Sequence, residues 1–214
     1  MDDFIETYNT WNEIADLYEE KFMNFPLYNE TYDFFCDNLV ISSSILELGC
    51  GPGNITKYIS NKRNDLIIEG TDISQNMIDL ARKNNPSCKF TVSDIRKYNS
   101  LENRYSGIIS GFCLPYLSIA EIKTLIPKLN HSLDIGGILY LSFVDGNPIN
   151  SGIKKGKDNR ILYFFYHDME EISNLLITNN FRIEKLYQLD YKNNDNSIDK
   201  HIVIISKKLE SINT

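Results

Sequence analysis

Short β-rich runs alternate with helical segments through the middle of the chain. Each run is strand-sized, and a turn-length gap separates it from the next stretch with helical periodicity. The runs cover residues 45–48, 66–71, 89–92, 106–110 and 137–144. Such alternation favours βαβ units, and therefore a mainly parallel sheet with helices on both of its faces.

The two ends of the chain have different patterns. Between residues 8 and 39 apolar side chains recur at steps of three and four, which indicates amphipathic helix, and Pro26 divides the segment into two predicted helices. Residues 168–179 read as a helix, and residues 181–191 and 201–207 as two strands joined by a polar turn. The sequence therefore predicts a doubly wound, seven-stranded α/β sheet that ends in an antiparallel hairpin.

We expect residues 1–40 to form an N-terminal helical lid and residues 41–214 to form one structural domain. The segment 147–160 is rich in glycine, proline and lysine, which predicts a surface loop. Its lysines would attract an acidic ligand or be solvated.

Composition excludes several classes of protein. The net charge is −7, whereas proteins that bind nucleic acid usually present a basic face, so we expect no nucleic-acid partner. The four cysteines and three histidines show no metal-ligand spacing, so we expect no metal site. The N-terminus lacks a signal-peptide pattern and no apolar run reaches the about 20 residues of a membrane span. We expect a cytoplasmic protein, either monomer or homodimer.

Residues 45–56 run from an apolar strand through three glycines into a helix. Gly49, Gly51 and Gly53 stand at alternate positions, which allows unusual backbone conformations and close approach of a ligand to the main chain. A dinucleotide fingerprint would need its third glycine at the position of Asn54. The spacing therefore disfavours a nicotinamide cofactor, although that alternative stays open.

The segment Glu47-x-Gly49-x-Gly51-x-Gly53 resembles the first motif of class I S-adenosylmethionine-dependent methyltransferases. Four later segments resemble further motifs of that family in the same order, and they cover residues 70–78, 93–95, 109–116 and 133–139. The resemblance extends over nearly the whole chain and implies the Rossmann-like methyltransferase fold, with S-adenosylmethionine as cofactor.

The resemblance also implies roles for particular residues. Asp72 would accept hydrogen bonds from the ribose hydroxyls, unless it is an exposed turn residue. Asp94 and Ile95 would contact the adenine, or Asp94 would be a helix N-cap. Ile73 and Met77 would flank the adenine ring or pack in the core. The complete set of expected cofactor contacts is Tyr18, Glu47, Gly49, Cys50, Gly51, Asn54, Asp72, Ile73, Met77, Asp94, Ile95 and Gly111.

The segment after the fourth predicted strand departs from one branch of this family. Enzymes that methylate amino groups of nucleic acid or glutamine carry Asn-Pro-Pro-Tyr or Asp-Pro-Pro-Tyr there. This chain has Cys113-Leu114-Pro115-Tyr116, and a cysteine cannot accept hydrogen bonds as an amide does. The difference further disfavours a nucleic-acid substrate.

Methyl transfer from a sulfonium needs the acceptor held in line with the methyl group, and a general base is optional. The candidate catalytic residues are Tyr116 and His167, although the pair His167-Asp168 also reads as the entry to a helix with Asp168 as its N-cap. His131 and His201 read as ordinary surface or strand-end residues.

Two groups of aromatic residues are candidates for the acceptor pocket. Trp11, Tyr18 and Phe22 could line a lid, although their spacing slightly favours simple packing onto the sheet. The run 163–166 could wall an apolar site or form a buried strand.

The leading hypothesis is a methyltransferase that acts on an O, N or C nucleophile of a small molecule. The alternatives are a protein that binds the cofactor without turnover and, less favoured, a nicotinamide-dependent oxidoreductase.

Overall fold

The computed structural model describes residues 3–100, 105–155 and 160–210. The α-helices are α1 Asp3–Glu13, α2 Ala15–Phe22, α3 Asn29–Asp37, α4 Asn54–Lys62, α5 Gln75–Asn84, α6 Ile119–Ser132 and α7 Met169–Thr178. The strands are β1 Ser44–Leu48, β2 Ile67–Asp72, β3 Lys89–Val92, β4 Tyr105–Ser110, β5 Leu133–Val144, β6 Gly152–Lys155, β7 Ile161–Phe164, β8 Phe181–Lys192 and β9 Ile198–Lys208.

Seven of these strands form one sheet in the order β3-β2-β1-β4-β5-β9-β8. The pairs among β1 to β5 are parallel, and β9 pairs antiparallel with both β5 and β8. Two clusters of buried apolar side chains lie against the sheet. The predicted fold class is confirmed, since each predicted run overlaps a strand and the hairpin closes the sheet.

The N-terminal segment breaks at one more place than the sequence predicts. Pro26 begins a 3-10 turn and separates α2 from α3, as expected. A second break separates α1 from α2 at Ile14. Near this break the backbone carbonyl of Asn12 accepts a hydrogen bond of 2.7 Å from Asn76 Nδ2, so α1 ends against the start of α5.

The prediction of a surface loop over residues 147–160 is wrong for most of the part that the structure describes. Pro148–Asn150 is a 3-10 turn, and β6 pairs antiparallel with β7 in a separate two-stranded sheet. Residues 156–159 lie outside the described part of the chain. The Thr7 hydroxyl accepts from the backbone N–H of Tyr163 at 2.9 Å, and the Thr10 hydroxyl donates to the carbonyl of Ile161 at 2.6 Å. These bonds attach the small sheet to α1.

Candidate functional site

All the parallel strands end at the same edge of the main sheet. The strand order reverses between β1 and β4, and ligands of open α/β sheets bind in the crevice at such a point. Because β9 is antiparallel, it begins at this edge, and β8 ends there. A cavity of about 320 Å³ lies at this position.

The glycine loop after β1 forms the floor of the cavity. Gly49, Gly51 and Gly53 have φ of +66°, +52° and +79°, a left-handed conformation that side chains disfavour. A Cβ built on Gly49 would lie 1.9 Å from Cys113 Sγ. The Cys113 thiol donates to the carbonyl of Leu48 at 3.0 Å, so it covers the start of the loop. The loop conformation therefore requires glycine at Gly49 for two reasons, the backbone angle and the lack of space.

Asp72 links the glycine loop to the next βα turn. Its Oδ2 accepts from the backbone N–H of Gly51, and its Oδ1 accepts from the backbone N–H of Ser74, both at 2.9 Å. Burial raises the pKa of Asp72, although these N–H groups oppose the shift. Each carboxylate oxygen keeps a lone pair for a further donor. Asp72 lines the cavity, so it is not the exposed turn residue that the alternative reading supposed.

Two buried polar atoms beside the cavity have no partner in the described structure. Glu47 is 1% exposed; its Oε2 accepts from the Thr56 hydroxyl, whereas its Oε1 is unpaired. Burial raises the pKa of Glu47 to about 8. Trp11 Nε1 is the other unpaired atom. Both residues line the cavity, so a ligand with one donor and one acceptor would satisfy both atoms.

Asp94 combines the two roles that the sequence left open. It caps the 3-10 turn at Ile95–Lys97 by accepting from the backbone N–H of Arg96 at 3.0 Å, and it also lines the cavity. Burial alone would raise its pKa, but bonds from Arg96, including one of 2.7 Å from Nη2, outweigh that effect and hold the pKa below its usual value.

The structure brings all the expected cofactor contacts to this one cavity. Besides those described above, the lining includes Tyr18, Cys50, Asn54, Ile73, Met77, Ile95 and Gly111. The catalytic candidate Tyr116 also lines it, and burial raises the pKa of its phenol well above the usual value.

The catalytic assignment of His167 needs correction. His167 is 3% exposed and does not line the cavity. Its Nε2 donates to the carbonyl of Leu114 at 2.8 Å, and burial lowers its pKa. Asp168 caps α7 by accepting from the backbone N–H of Glu171. His167 therefore supports the turn that carries Tyr116 and lies outside the cavity lining.

His201 lies in the cavity wall, although its sequence context predicts an ordinary surface or strand-end residue. It is 7% exposed, and its Nδ1 is 2.7 Å from the Tyr28 hydroxyl. Burial lowers the pKa of His201 to about 4, against the opposing effect of Asp199. The predicted hairpin offered a signal for it: the first residues of an antiparallel strand lie at the edge where parallel strands end.

A continuous series of aromatic rings surrounds the cavity, and we call it the aromatic collar. Neighbouring ring centroids are between 4.5 and 6.0 Å apart. In order of contact the collar consists of Phe164, Tyr116, Trp11, Tyr18, Phe22, Phe25, Tyr28, Phe112, His201 and Tyr191. Trp11, Tyr18 and Phe22 thus line the cavity, and so does Phe164 from the predicted aromatic run.

Two further findings concern metal binding and membrane insertion. Within residues 3–100, 105–155 and 160–210, no cluster of three or more His, Cys, Asp or Glu side chains is arranged to hold a metal ion. None of the described helices combines the length and the apolar character that a bilayer crossing requires.

Comparison with known proteins gives matches in sequence and in structure. Residues 45–137 match a family described as a methyltransferase domain. The chain is 34% identical over 103 residues to a trans-aconitate 2-methyltransferase of Delftia acidovorans, covering 47% of this chain and 38% of that protein. It is 27% identical over 175 residues to a tRNA N(3)-methylcytidine methyltransferase of Schizosaccharomyces pombe, covering 77% and 56%. The chain thus spans less than two thirds of the length of these relatives.

The fold match is more extensive than the sequence match. The structure of a DhpI–SAH complex superposes with a TM-score of 0.73 at 12% identity, covering 97% of this chain and 98% of that one. Residues 45–137 are therefore similar in sequence to a methyltransferase domain, and the chain shares the fold of the methyltransferase structures that it superposes on.

Proposed function

We propose that the chain binds S-adenosylmethionine in this cavity and transfers its methyl group to a small-molecule acceptor. One observation carries the proposal: the glycine loop, Asp72 and Asp94 lie at the ends of three neighbouring strands and line a single cavity. The match of residues 45–137 to a methyltransferase domain and the likeness to the DhpI–SAH complex support it.

The unpaired atoms of the cavity fit this cofactor. Glu47 Oε1 would accept from the amino group, and Gly49 and Gly51 leave room for the amino-acid part against the main chain. The carboxylate of Asp72 has lone pairs left for the two ribose hydroxyls, which are donors. Asp94 and Ile95 would meet the adenine, with Ile73 and Met77 on its faces.

When bound, the sulfonium supplies a methyl group that a nucleophile takes by in-line displacement. The chain's contribution is chiefly to hold the acceptor in line and to exclude water. Tyr116 remains a phenol near neutral pH, because burial raises its pKa, so it would orient the acceptor by donating a hydrogen bond.

We propose that residues 1–40 act as a lid over this site. Asn12 Oδ1 accepts from the Ser74 hydroxyl at 2.8 Å and from the backbone N–H of Asn76 at 3.1 Å. Glu19 accepts from Asn84, whose amide also donates to the carbonyl of Pro52 in the glycine loop at 3.0 Å. The lid is therefore bonded to the same turns that would hold the cofactor.

A small molecule is the favoured acceptor over nucleic acid. A net charge of −7 opposes the phosphate contacts that supply most nucleic-acid affinity. The match to a tRNA methyltransferase makes RNA the acceptor to test first against this proposal. Transfer of labelled methyl from S-adenosylmethionine to total tRNA, with no transfer to a small-molecule extract, would contradict it.

The cofactor assignment can be tested by calorimetric titration with S-adenosylmethionine, S-adenosylhomocysteine and NADH. We expect the first two to bind and NADH to give no signal. Asp72→Ala should weaken both affinities at least about tenfold, because hydrogen bonds to a charged group are each worth roughly 1.5–3 kcal/mol. Asp79→Ala, on the exposed face of α5, is the matched control. Unchanged affinity in Asp72→Ala would refute the assignment.

A further inference from the structure

The aromatic collar extends well beyond the part of the cavity that the cofactor would use. Phe112 follows β4, His201 pairs with Val144 at the end of β5, and Tyr191 lies on β8. Asp72 ends β2 and Asp94 follows β3, on the other side of the point where the strand order reverses. The cavity therefore has a second half, bounded by β4, β5, β9 and β8. Of the expected cofactor contacts, Gly111 follows β4 on this side and Tyr18 lies in the aromatic collar.

Flat ring faces build the wall of this second half. The rings of His201 and Tyr191 are stacked, with centroids 4.5 Å apart and 7° between planes. Phe112 lies 4.8 Å from His201 and 5.0 Å from Tyr28. Aromatic faces of this kind favour a planar aromatic ligand, which can stack offset or pack edge to face.

Phe112 is held in an unfavourable backbone conformation. Its φ is +56°, which is rare for a bulky residue. Its backbone N–H donates to the Ser142 hydroxyl at 2.8 Å, and its ring packs against His201 and Tyr28. Such strain persists where the surroundings fix it, and it concentrates at ligand sites.

The charges around the cavity disfavour an anionic acceptor. Among the lining residues that the structure describes, the acidic side chains are Glu47, Asp72, Asp94 and Asp199, and there is no lysine or arginine. The ammonium of Lys21 lies 4.8 Å above the ring of Phe22 and 5.6 Å from that of Tyr191, but Lys21 does not line the cavity. Recognition of a carboxylate or phosphate normally uses a cationic side chain.

His201 provides a polar atom in the apolar wall. Its Nδ1 is engaged with Tyr28 Oη, and no described residue bonds to its Nε2. In the tautomer whose Nδ1–H donates to Tyr28, Nε2 is a hydrogen-bond acceptor. A ligand with a hydroxyl or ring N–H would satisfy this nitrogen.

We propose that the second half of the cavity binds an uncharged, planar aromatic acceptor whose hydroxyl or ring N–H donates to His201 Nε2. The inference rests on the proposed function, because it names the acceptor class of the same site. During transfer the acceptor's O–H or N–H bond breaks and its proton passes by way of Nε2 to water, since burial lowers the pKa of His201 and the imidazole does not keep the proton. The freed electron pair bonds to the methyl carbon, and the pair of the methyl–sulfur bond stays on sulfur, which leaves as a neutral thioether.

A matched series of naphthalene probes tests the acceptor class. Calorimetric titrations near neutral pH, with S-adenosylhomocysteine at saturation, would compare 2-naphthol with 2-naphthoate, 2-methoxynaphthalene and decahydro-2-naphthol. 2-Naphthoate carries a carboxylate, 2-methoxynaphthalene lacks the hydrogen-bond donor, and decahydro-2-naphthol is not planar. We expect 2-naphthol to bind, and each of the others to bind about tenfold more weakly, the size of one hydrogen bond or of one aromatic contact. Equal or tighter binding of 2-naphthoate, or no binding of 2-naphthol, would overturn the proposal.

His201→Asn and Tyr191→Leu test the assigned residues. Both should weaken 2-naphthol about tenfold and leave the affinity for S-adenosylhomocysteine unchanged, since losses near 1.4 kcal/mol correspond to a factor of ten. Tyr187→Leu, on the same strand but packed against Phe34 outside the cavity, is the control.

A thermodynamic cycle separates a hydrogen bond to His201 from a merely structural role. Replacing 2-naphthol by 2-methoxynaphthalene should cost affinity in the wild type and none in His201→Asn. An equal cost in both proteins would overturn the role of His201. Failure of the wild type to bind S-adenosylhomocysteine would instead refute the proposed function, so the two failures are distinguishable.

Discussion

The two halves of the cavity are built in different ways. The half toward β2 and β3 comes from short contiguous segments at strand ends, in which the Asp72 carboxylate accepts from the backbone N–H of Gly51 in the glycine loop. The half toward β8 and β9 combines single rings from the lid, from the turn after β4 and from the hairpin. A left-handed backbone restricts the residue type, whereas a wall of rings can be assembled from any elements that meet. The first half can therefore be predicted from the sequence, whereas the second half cannot.

Gly49→Ala should have the largest effect on the glycine-loop half. The added Cβ would lie 1.9 Å from Cys113 Sγ in a backbone with φ of +66°, so the loop must change shape. We expect no detectable binding of S-adenosylhomocysteine by calorimetry.

Gly136→Ala is the matched control for backbone strain. Gly136 has φ of +78°, but its nearest neighbour, Lys207 Cε, is 3.5 Å from the added Cβ. This variant should lose about 1–2 kcal/mol of stability and keep its affinity. Equal loss of affinity in both variants would mean that the loop has no special role.

Glu47→Gln should change how stability depends on pH. Burial raises the pKa of Glu47 from 4.5 to about 8, so the folded chain keeps a proton that the unfolded chain releases in that range. The free energy of unfolding should therefore fall as pH rises through this window, by up to about 1.4 kcal/mol per pH unit from this group. Urea unfolding of the ligand-free protein at several pH values would measure it. Parallel pH profiles for wild type and Glu47→Gln would contradict the prediction.

His201→Asn should also change how stability depends on pH, but in the opposite direction to Glu47→Gln and over a narrower pH range. Burial lowers the pKa of His201 from 6.5 to about 4, so the unfolded chain binds a proton that the folded imidazole does not. Stability is fully present above pH 6.5 and should fall as pH drops toward 4. His201→Asn should flatten this part of the profile, and His131→Asn, at an exposed position, should not. If His201→Asn still lost stability steeply as pH drops below 6.5, other groups would be the cause of that loss.

Asn12→Ala should have the smallest effect, and it tests the lid that joins the two halves. The substitution removes the two bonds of the Asn12 side chain, from the Ser74 hydroxyl and from the backbone N–H of Asn76, and keeps the bond of its backbone carbonyl to Asn76 Nδ2. Because net hydrogen bonds are each worth roughly 1 kcal/mol and these are partly solvated, we expect the dissociation rate of S-adenosylhomocysteine to rise by about threefold to tenfold. Stopped-flow fluorescence can follow it, since Trp11 is the single tryptophan and belongs to the collar. Glu13→Ala, exposed on the same helix, should not change the rate.

The two histidine assignments show where prediction from sequence failed. His167 and His201 both have a strand or helix end beside them, so their sequence contexts look equivalent. The fold turns His167 toward the carbonyl of Leu114 and places His201 against Tyr28 at the cavity. The segment 147–160 failed for a related reason, since its strand forms by pairing with β7 and its polar composition gives no sign of that partner.

The order of strands and helices along the chain, the glycine loop and the acidic residues at the ends of β2 and β3 could all be predicted from the sequence alone. These features depend on local periodicity and on backbone angles that only certain residues adopt. The tertiary structure alone decided that Phe112, Tyr191 and His201 share a wall with Trp11 and Tyr116, because their contacts join residues far apart in the chain. The order of the strands in the sheet and the packing of the lid bring those rings together, and the sequence around each ring does not indicate its partners.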